Sequence, residues 1–467
     1  MEASLKKSAV KDMTSGSPLK LIMLFAVPMM LGNIIQQLYN SVDAIIVGKF
    51  VSTDAFAAVG STGSFSFLIL GFITGMTAGF QIPISNAFGA KDYRKMRVLI
   101  FNSAAVGIIL TAVMTLIACA LCVPLLKLLN TPEEIFDDSF NYIFVIFAGL
   151  FSVFIYNFAA SVLRAVGNSK IPLLFLLMSS LLNVILDLLF VLVFKMGVTG
   201  AAVATVISQA VSGVSCIIYI FKKLPFLIAG GVERKIKKPY VLKTLSMGLP
   251  MGFQFSITAI GSLILQWGVN GFGTNAVAAY TAYVKLINLI FPFMECMGIA
   301  SGTFCSQNLG AIRFDRIKKG ISAALLLNLT YGVIAGVLFA FFGWYGSFLF
   351  ISKDDTAVLP YVKNICFYCG MLLPFLATLF LFRNTVQSLG FAFPAMFTGA
   401  MEIVGRLIMV ILAVGFKSYV FISLASPLAW IFADLYLIPV YLRSVKILKS
   451  RFDTAKPPRT LANIHAN

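Results

Sequence analysis

Apolar residues run through this chain in long stretches separated by short polar segments. Twelve such stretches fall at roughly 21–48, 55–88, 98–126, 139–162, 172–194, 198–221, 246–270, 277–309, 320–350, 360–387, 393–416 and 418–442. About 20 apolar residues suffice to carry a helix across a bilayer, so the pattern predicts an all-α polytopic membrane protein with twelve transmembrane helices. Several stretches exceed that length, which predicts tilt, kinks or extension beyond the membrane. Pro28, Pro83, Pro250 and Pro292 are the candidate kink points.

The polar segments alternate in charge. Basic residues cluster before the first span (Lys6, Lys7, Lys11, Lys20) and in the second loop (Lys91, Arg94, Lys95, Arg97). They recur in the central loop (Lys222 to Lys243), the eighth loop (Arg313, Arg316, Lys318, Lys319) and after the last span (Arg443, Lys446, Lys449, Arg451). The intervening loops are poor in Lys and Arg, and the third carries Glu133, Glu134, Asp137 and Asp138. The positive-inside rule then predicts that both termini are cytoplasmic, and an even span count keeps the alternation.

Five segments follow: a tail at 1–20, a six-helix bundle at 21–221, a basic linker at 222–245, a second six-helix bundle at 246–442, and a basic tail at 443–467. The polar, basic start and the length of the first apolar run do not read as a cleavable signal peptide.

Composition agrees. The 467 residues are 59% hydrophobic and 12% charged, about half the charge of a soluble domain. The formal net charge of +18 sits in scattered loops rather than one patch, which argues for topology and against nucleic acid. Seven cysteines include two C-x-x-C pairs, Cys119/Cys122 and Cys366/Cys369. Both lie in or beside apolar runs, and the single histidine, His465, is in the tail. They read as small apolar fillers rather than zinc ligands or a redox pair.

The two halves resemble each other. AVPMM (26–30) matches GLPMG (248–252), STDAFAAV (52–59) matches GTNAVAAY (273–280), and GMTAG (75–79) matches GIASG (298–302). NAFGAKDYRK (86–95) matches QNLGAIRFDR (307–316), and Gly167 and Pro172 match Gly390 and Pro394, all at offsets near 221–223. An ordered series at nearly one offset indicates an internal repeat. Six spans return the chain to its starting side, so the repeats are parallel, and a substrate path between them near the midplane is expected. Gly71, Gly75 and Gly79, and later Gly298 and Gly302, recur every four residues, as close helix packing requires.

Against this apolar background, Asp187 is the one charge in IPLLFLLMSSLLNVILDLLFVLVF (171–194). A carboxylate at that depth costs about 2.5–3.5 kcal/mol on insertion scales. Asn183 precedes it by four residues and shares its helix face. Asp43 follows QQLYNSV in the first span, Asn157 lies in the fourth and Thr205 in the sixth. No basic residue in the first bundle's spans is an evident partner for Asp187. A carboxylate that alternates between dry and wet surroundings binds and releases a proton or sodium ion.

The second half lacks this set. Repeat counterparts of Asp43 are Leu265 or Gln266, and those of Asp187 are Met409 or Val410. Glu402 and Arg406, four apart, read as a structural ion pair, and Glu295 in the eighth span is a candidate to meet a cationic substrate.

The motifs P-x-x-x-x-x-x-x-Q-x-x-Y-x-x-x-D-x-x-x-x-G (28–48) and LNVILDLLFVLVFKMGVTGAAVATVISQ (182–209), with the repeated Gly-Ala loops at 89–90 and 310–311, resemble the multidrug and toxic compound extrusion (MATE) transporters over residues 15–445. The resemblance implies two six-helix bundles around a V-shaped cleft. It also implies export of small amphipathic, often cationic compounds across the cell membrane in exchange for H⁺ or Na⁺.

In the DinF-like branch, which the chain resembles most, the coupling cation is held by positions matching Asp43, Asn157, Asn183, Asp187 and Thr205. A bound Na⁺ would take Asp43, Asn183, Asp187 and Thr205. Gln36 and Tyr39 match positions near the substrate cavity, and Glu295 joins them as a candidate substrate contact. The NorM-like branch uses acidic residues on the seventh and tenth spans, which carry none here. The expected partners are a small-molecule substrate and the bilayer, with a monomeric chain, no nucleic acid and no cofactor beyond the coupling ion.

Two rivals remain. A lipid-linked oligosaccharide flippase of the same superfamily needs a basic cavity, and the spans hold few basic residues, mainly Lys285 and Arg406. A membrane-embedded enzyme is opposed by the absence of H-E-x-x-H, D-D-x-x-D and P-loop motifs.

Overall fold

A computed structural model describes residues 10–128, 131–351 and 355–454. Basic residues Lys6 and Lys7, and His465, lie outside the described residues. The described chain forms fourteen α-helices: α1 (Pro18–Phe50), α2 (Thr53–Gly89), α3 (Tyr93–Leu128), α4 (Glu133–Ala148), α5 (Leu150–Ala165), α6 (Lys170–Leu188), α7 (Gly197–Lys223), α8 (Lys238–Asn270), α9 (Thr274–Gly310), α10 (Phe314–Gly346), α11 (Leu359–Met371), α12 (Leu373–Ser388), α13 (Ala392–Phe416) and α14 (Tyr419–Thr454). No strand occurs among the described residues.

Ten helices are individually long and apolar enough to cross a membrane. The fourth and tenth spans are bent pairs: α4 and α5 meet at 44°, α11 and α12 at 50°. Taken as one crossing each, they complete twelve.

The sharp bends fall at Gly149 and Leu372, whereas Pro28, Pro83, Pro250 and Pro292 sit inside unbroken helices. Both breaks have bridge-region backbone, with φ −83° and ψ 6° at Gly149 and φ −103° and ψ 8° at Leu372, which interrupts the hydrogen-bond ladder. Gly149 is also forced: a β-carbon there would lie 2.3 Å from Val206 Cγ2.

Helix ends follow the sequence. Ser52 caps α2 by accepting from the Ala55 N–H at 2.9 Å, and Pro18 and Pro239 occupy first turns, where no N–H is needed. The repeat is visible in backbone detail. Lys91 after α2 and Ile312 after α9 both adopt φ 57°, and Gly167 and Gly390 have φ 82° and 98°. Leu116, Leu181, Leu326 and Phe416 are more than two-thirds exposed, as expected where lipid is the solvent.

Helices α1–α7 and α8–α14 form two lobes. They meet where α2 packs along α8 and where α1 packs on α9. At the end carrying the basic loops, α2 and α9 cross at near-zero clearance. A β-carbon at Gly89 would lie 1.9 Å from the Gln307 carbonyl oxygen, and one at Gly310 1.9 Å from that of Asn86.

The segment before α1 is threaded into this seam. Lys11 N–H donates to Val166 O at 3.0 Å, and Met13 N–H to Gln307 Oε1 at 2.8 Å. Gln307 Nε2 in turn donates to Ala165 O at 3.0 Å, and Asn308 Nδ2 to Met13 O at 3.1 Å. Arg313 donates to Thr14 O at 2.8 Å. Three tail residues, Lys11, Met13 and Thr14, thus hydrogen-bond to the two lobes.

The linker is ordered on the first lobe. Arg97 on α3 makes a two-pronged ion pair with Glu233 at 2.6 Å per contact, and the Asn102 side chain bonds the backbone of Lys235 and Lys237.

Candidate cation and substrate site

Four helices of the first lobe turn polar stripes toward one another. On α1 these are Asn33, Gln36, Tyr39 and Asp43, on α5 Tyr156, Asn157 and Arg164, on α6 Ser179, Ser180, Asn183 and Asp187, and on α7 Thr205, Ser208, Gln209 and Ser212. The spacing of three and four keeps each set on one face. All of these except Asp43 and Asp187 line a cavity of about 260 Å³, roofed from the second lobe by Phe255 on α8 and by Glu295 and Ile299 on α9. Gln36, Tyr39, Asn157, Asn183, Thr205 and Glu295, six of the sequence candidates, all lie on its wall.

Asp43 and Asp187 adjoin the cavity rather than line it. Asp43 is one turn along α1 from Tyr39, and Asp187 one turn along α6 from Asn183. The two carboxyl groups are close enough to act directly on each other, with Tyr39 and Tyr142 beside them. Asp187 is fully buried and Asn183 is 2% exposed. Neither carboxylate has a basic partner among the described residues.

Both Asp187 oxygens, Asp43 Oδ1, and both Asn183 amide atoms lack protein hydrogen-bond partners. Buried polar groups are ordinarily satisfied, so this concentration of orphaned oxygens marks a place for something else. Two adjoining carboxylates without a counter-ion call for a proton or a cation between them. The donors are hard oxygens, suited to H⁺ or Na⁺ rather than a soft metal. Among the described residues no group of three or more His, Cys, Asp and Glu side chains is placed to hold a metal ion.

Immediately after Asp187 the helix widens into a π-turn at Leu189–Val193, a feature frequent at functional sites. Asn157 is partly committed, its Nδ2 donating to Val153 O in its own helix at 2.9 Å.

Sequence reasoning missed Arg164, which lines the cavity from the last turn of α5. It lies just past the expected end of the fourth span. Asn33, Ser208, Gln209 and Ser212 were missed as well, although their spacing from Gln36 and Thr205 was a readable signal.

In the second lobe the Glu402–Arg406 pair is present at 3.4 Å. Arg383 on α12 also ion-pairs with Glu402, and Asp434 accepts a hydrogen bond from Thr378. Arg383 therefore corrects the count of basic residues within the spans. Glu402 is held between two guanidinium groups. Lys285, by contrast, is exposed on the outer face of α9 and does not contribute to the cavity. All seven cysteines are free, and six are buried.

The MatE family profile matches residues 28–189 and again 250–412, at the offset of the internal repeat. The chain belongs to the MatE family. It is 28% identical over 368 residues to the probable multidrug resistance protein YoeA of Bacillus subtilis, covering 77% of this chain and 80% of that protein. It is 29% identical over 384 residues to the probable multidrug resistance protein YpnP of the same organism, covering 81% and 84%. A crystal structure of a MATE protein in complex with MaL6 shares the fold with a TM-score of 0.84 at 19% identity, over 95% of this chain and all of that one. MatE proteins are a transporter family rather than an enzyme class. The all-α fold expected from the sequence is shared with that structure.

Proposed function

We propose that this MatE protein is a secondary antiporter of the DinF-like type, exporting small amphipathic organic compounds in exchange for H⁺ or Na⁺. Asp187 and Asp43 bind the coupling cation, with Asn183, Asn157 and Thr205 as neighbouring ligands or hydrogen-bond partners. Gln36, Tyr39 and Glu295 contact the substrate. The basic end of the bundle, with both termini, faces the cytoplasm of the cell membrane.

The observation that carries this reading is the cluster of orphaned oxygens on Asp187, Asp43 and Asn183 beside a cavity shared by both lobes. Coupling needs a group whose cation occupancy changes as the lobes move, and a carboxylate pair with no fixed partner is such a group. The membrane potential supplies about 2.3 kcal/mol per charge per 100 mV to drive it.

The test is transport by reconstituted protein in liposomes, with a pH gradient and a sodium gradient imposed separately. The wild-type chain exports under at least one of them. Asp187→Asn inserts normally but loses gradient-driven export. Full activity in that variant would remove Asp187 from the mechanism, and export under neither gradient would reject antiport.

A further inference from the structure

Where the two lobes meet at the basic end, a second cavity of about 430 Å³ opens beside the crossing of α2 and α9. Two lysines line it, Lys95 near the start of α3 in the first lobe and Lys243 near the start of α8 in the second. Their ammonium groups are close enough to repel each other. No acidic side chain lines the cavity, and neither lysine makes an ion pair among the described residues. Like charges held near each other without a counter-ion attract an anion. The rest of the wall is mostly apolar, with Ile82, Leu99 and Leu389 buried and Tyr240 half-buried. A small inorganic anion would use the lysines alone. An anion joined to an apolar chain uses both parts of the wall.

We propose that this cavity binds the headgroup of an anionic phospholipid. The phosphate lies between Lys95 and Lys243, and the glycerol and first methylenes lie against Ile82, Leu99 and Leu389. Lysine serves a phosphate as a point charge, and each basic residue at a membrane surface strengthens the binding of anionic lipid by about fivefold. One lysine comes from each lobe, so the site is complete only while the lobes meet at this end. It is separate from the cation site and from the cavity lined by Asn183.

Native mass spectrometry of the full chain in detergent reads the binding. The protein is titrated with phosphatidylglycerol or with phosphatidylcholine of the same acyl chains, and the affinity ratio of the two lipids is measured. Wild type prefers phosphatidylglycerol. Lys95→Gln combined with Lys243→Gln lowers the ratio by about tenfold or more, whereas Lys95→Arg combined with Lys243→Arg retains it. Lys318→Gln combined with Lys319→Gln removes the same charge from exposed positions on α10, outside the cavity, and leaves the ratio unchanged. If the first double variant does not fold, Lys95→Gln alone, at an exposed position, lowers the ratio by about fivefold.

A ratio unmoved by loss of Lys95 and Lys243, or an equal fall on loss of Lys318 and Lys319, overturns the site and leaves the two lysines as charges that set topology. Glycerol phosphate, the headgroup without chains, is added as a competitor and displaces the lipid only at far higher concentration. Displacement at the lipid's own concentration assigns the cavity to soluble phosphate esters and overturns the lipid reading.

Discussion

At the residue scale, the two lobes treat buried charge in opposite ways. In the second lobe, Glu402 is 3% exposed and lies between Arg383 and Arg406, 7% and 6% exposed. Its charge is spoken for. Glu402→Gln leaves two guanidinium groups deprived of their carboxylate, so a loss of about 3–5 kcal/mol is expected, seen as a lowered unfolding midpoint in detergent. An unchanged midpoint would show that the cluster is not a structural ion pair. In the first lobe, Asp43, Asn183 and Asp187 are left with unpartnered polar atoms, which costs stability. Asp187 and its partners were legible because a carboxylate in an apolar helix costs too much to be casual. Arg164 and Arg383 were not. One lies beyond the expected end of its span and the other within the tenth, and neither reveals from sequence what it faces.

At the element scale, the seam between α2 and α9 is set by two glycines at repeat-related positions. Gly89→Val puts side-chain atoms into the Gln307 backbone and forces the lobes apart at the basic end. With the seven native cysteines replaced by alanine, a cysteine at Thr303 on α9, whose hydroxyl accepts from Gln81 Nε2 across the seam, is expected to react with maleimide several-fold faster in Gly89→Val than in the Gly89 parent. Equal rates would mean that the crossing is not what closes this end.

The linker offers a second handle. Hydrogen bonding to the Arg97 guanidinium holds the Glu233 carboxyl below its ordinary range. A carboxyl lowered in this way contributes fully above its unfolded value and loses that contribution as pH falls through its folded value. Docking of the linker is therefore intact at neutral pH and weakens only below the usual glutamate range of about 4.5. The pair is part-exposed, and the contribution is about 0.2–1 kcal/mol. In Glu233→Gln, protease cleavage of the linker should lose its acid dependence, and a retained dependence would assign it to another group.

At the scale of the whole molecule, the sequence repeat is kept in the backbone and broken in the contacts. The breaks at Gly149 and Leu372, the left-handed residues Lys91 and Ile312, and the glycines Gly167 and Gly390 all recur in register. Yet repeat-related glycines meet unrelated neighbours. Gly75 and Gly79 face backbone carbonyls of Met251 and Met247 across the lobe boundary, whereas Gly298 faces the Phe380 carbonyl and Gly302 the Ser388 hydroxyl within their own lobe.

Motifs matched at one offset revealed the two-fold repeat, and hydropathy with the length of apolar runs determined the number of spans and the all-α class. These follow from the bilayer's thickness and its refusal of unpaired backbone groups, conditions that act on local sequence. The candidate cation residues were also readable, because burial of charge in an apolar helix is itself a local anomaly. Tertiary structure alone decided that Asp43 and Asp187 are neighbours, that Arg164 and Glu295 share a cavity without pairing, and that a few residues of tail clasp both lobes. Those depend on which helix faces which, and helix packing in lipid turns on the fit of particular surfaces that no single span encodes.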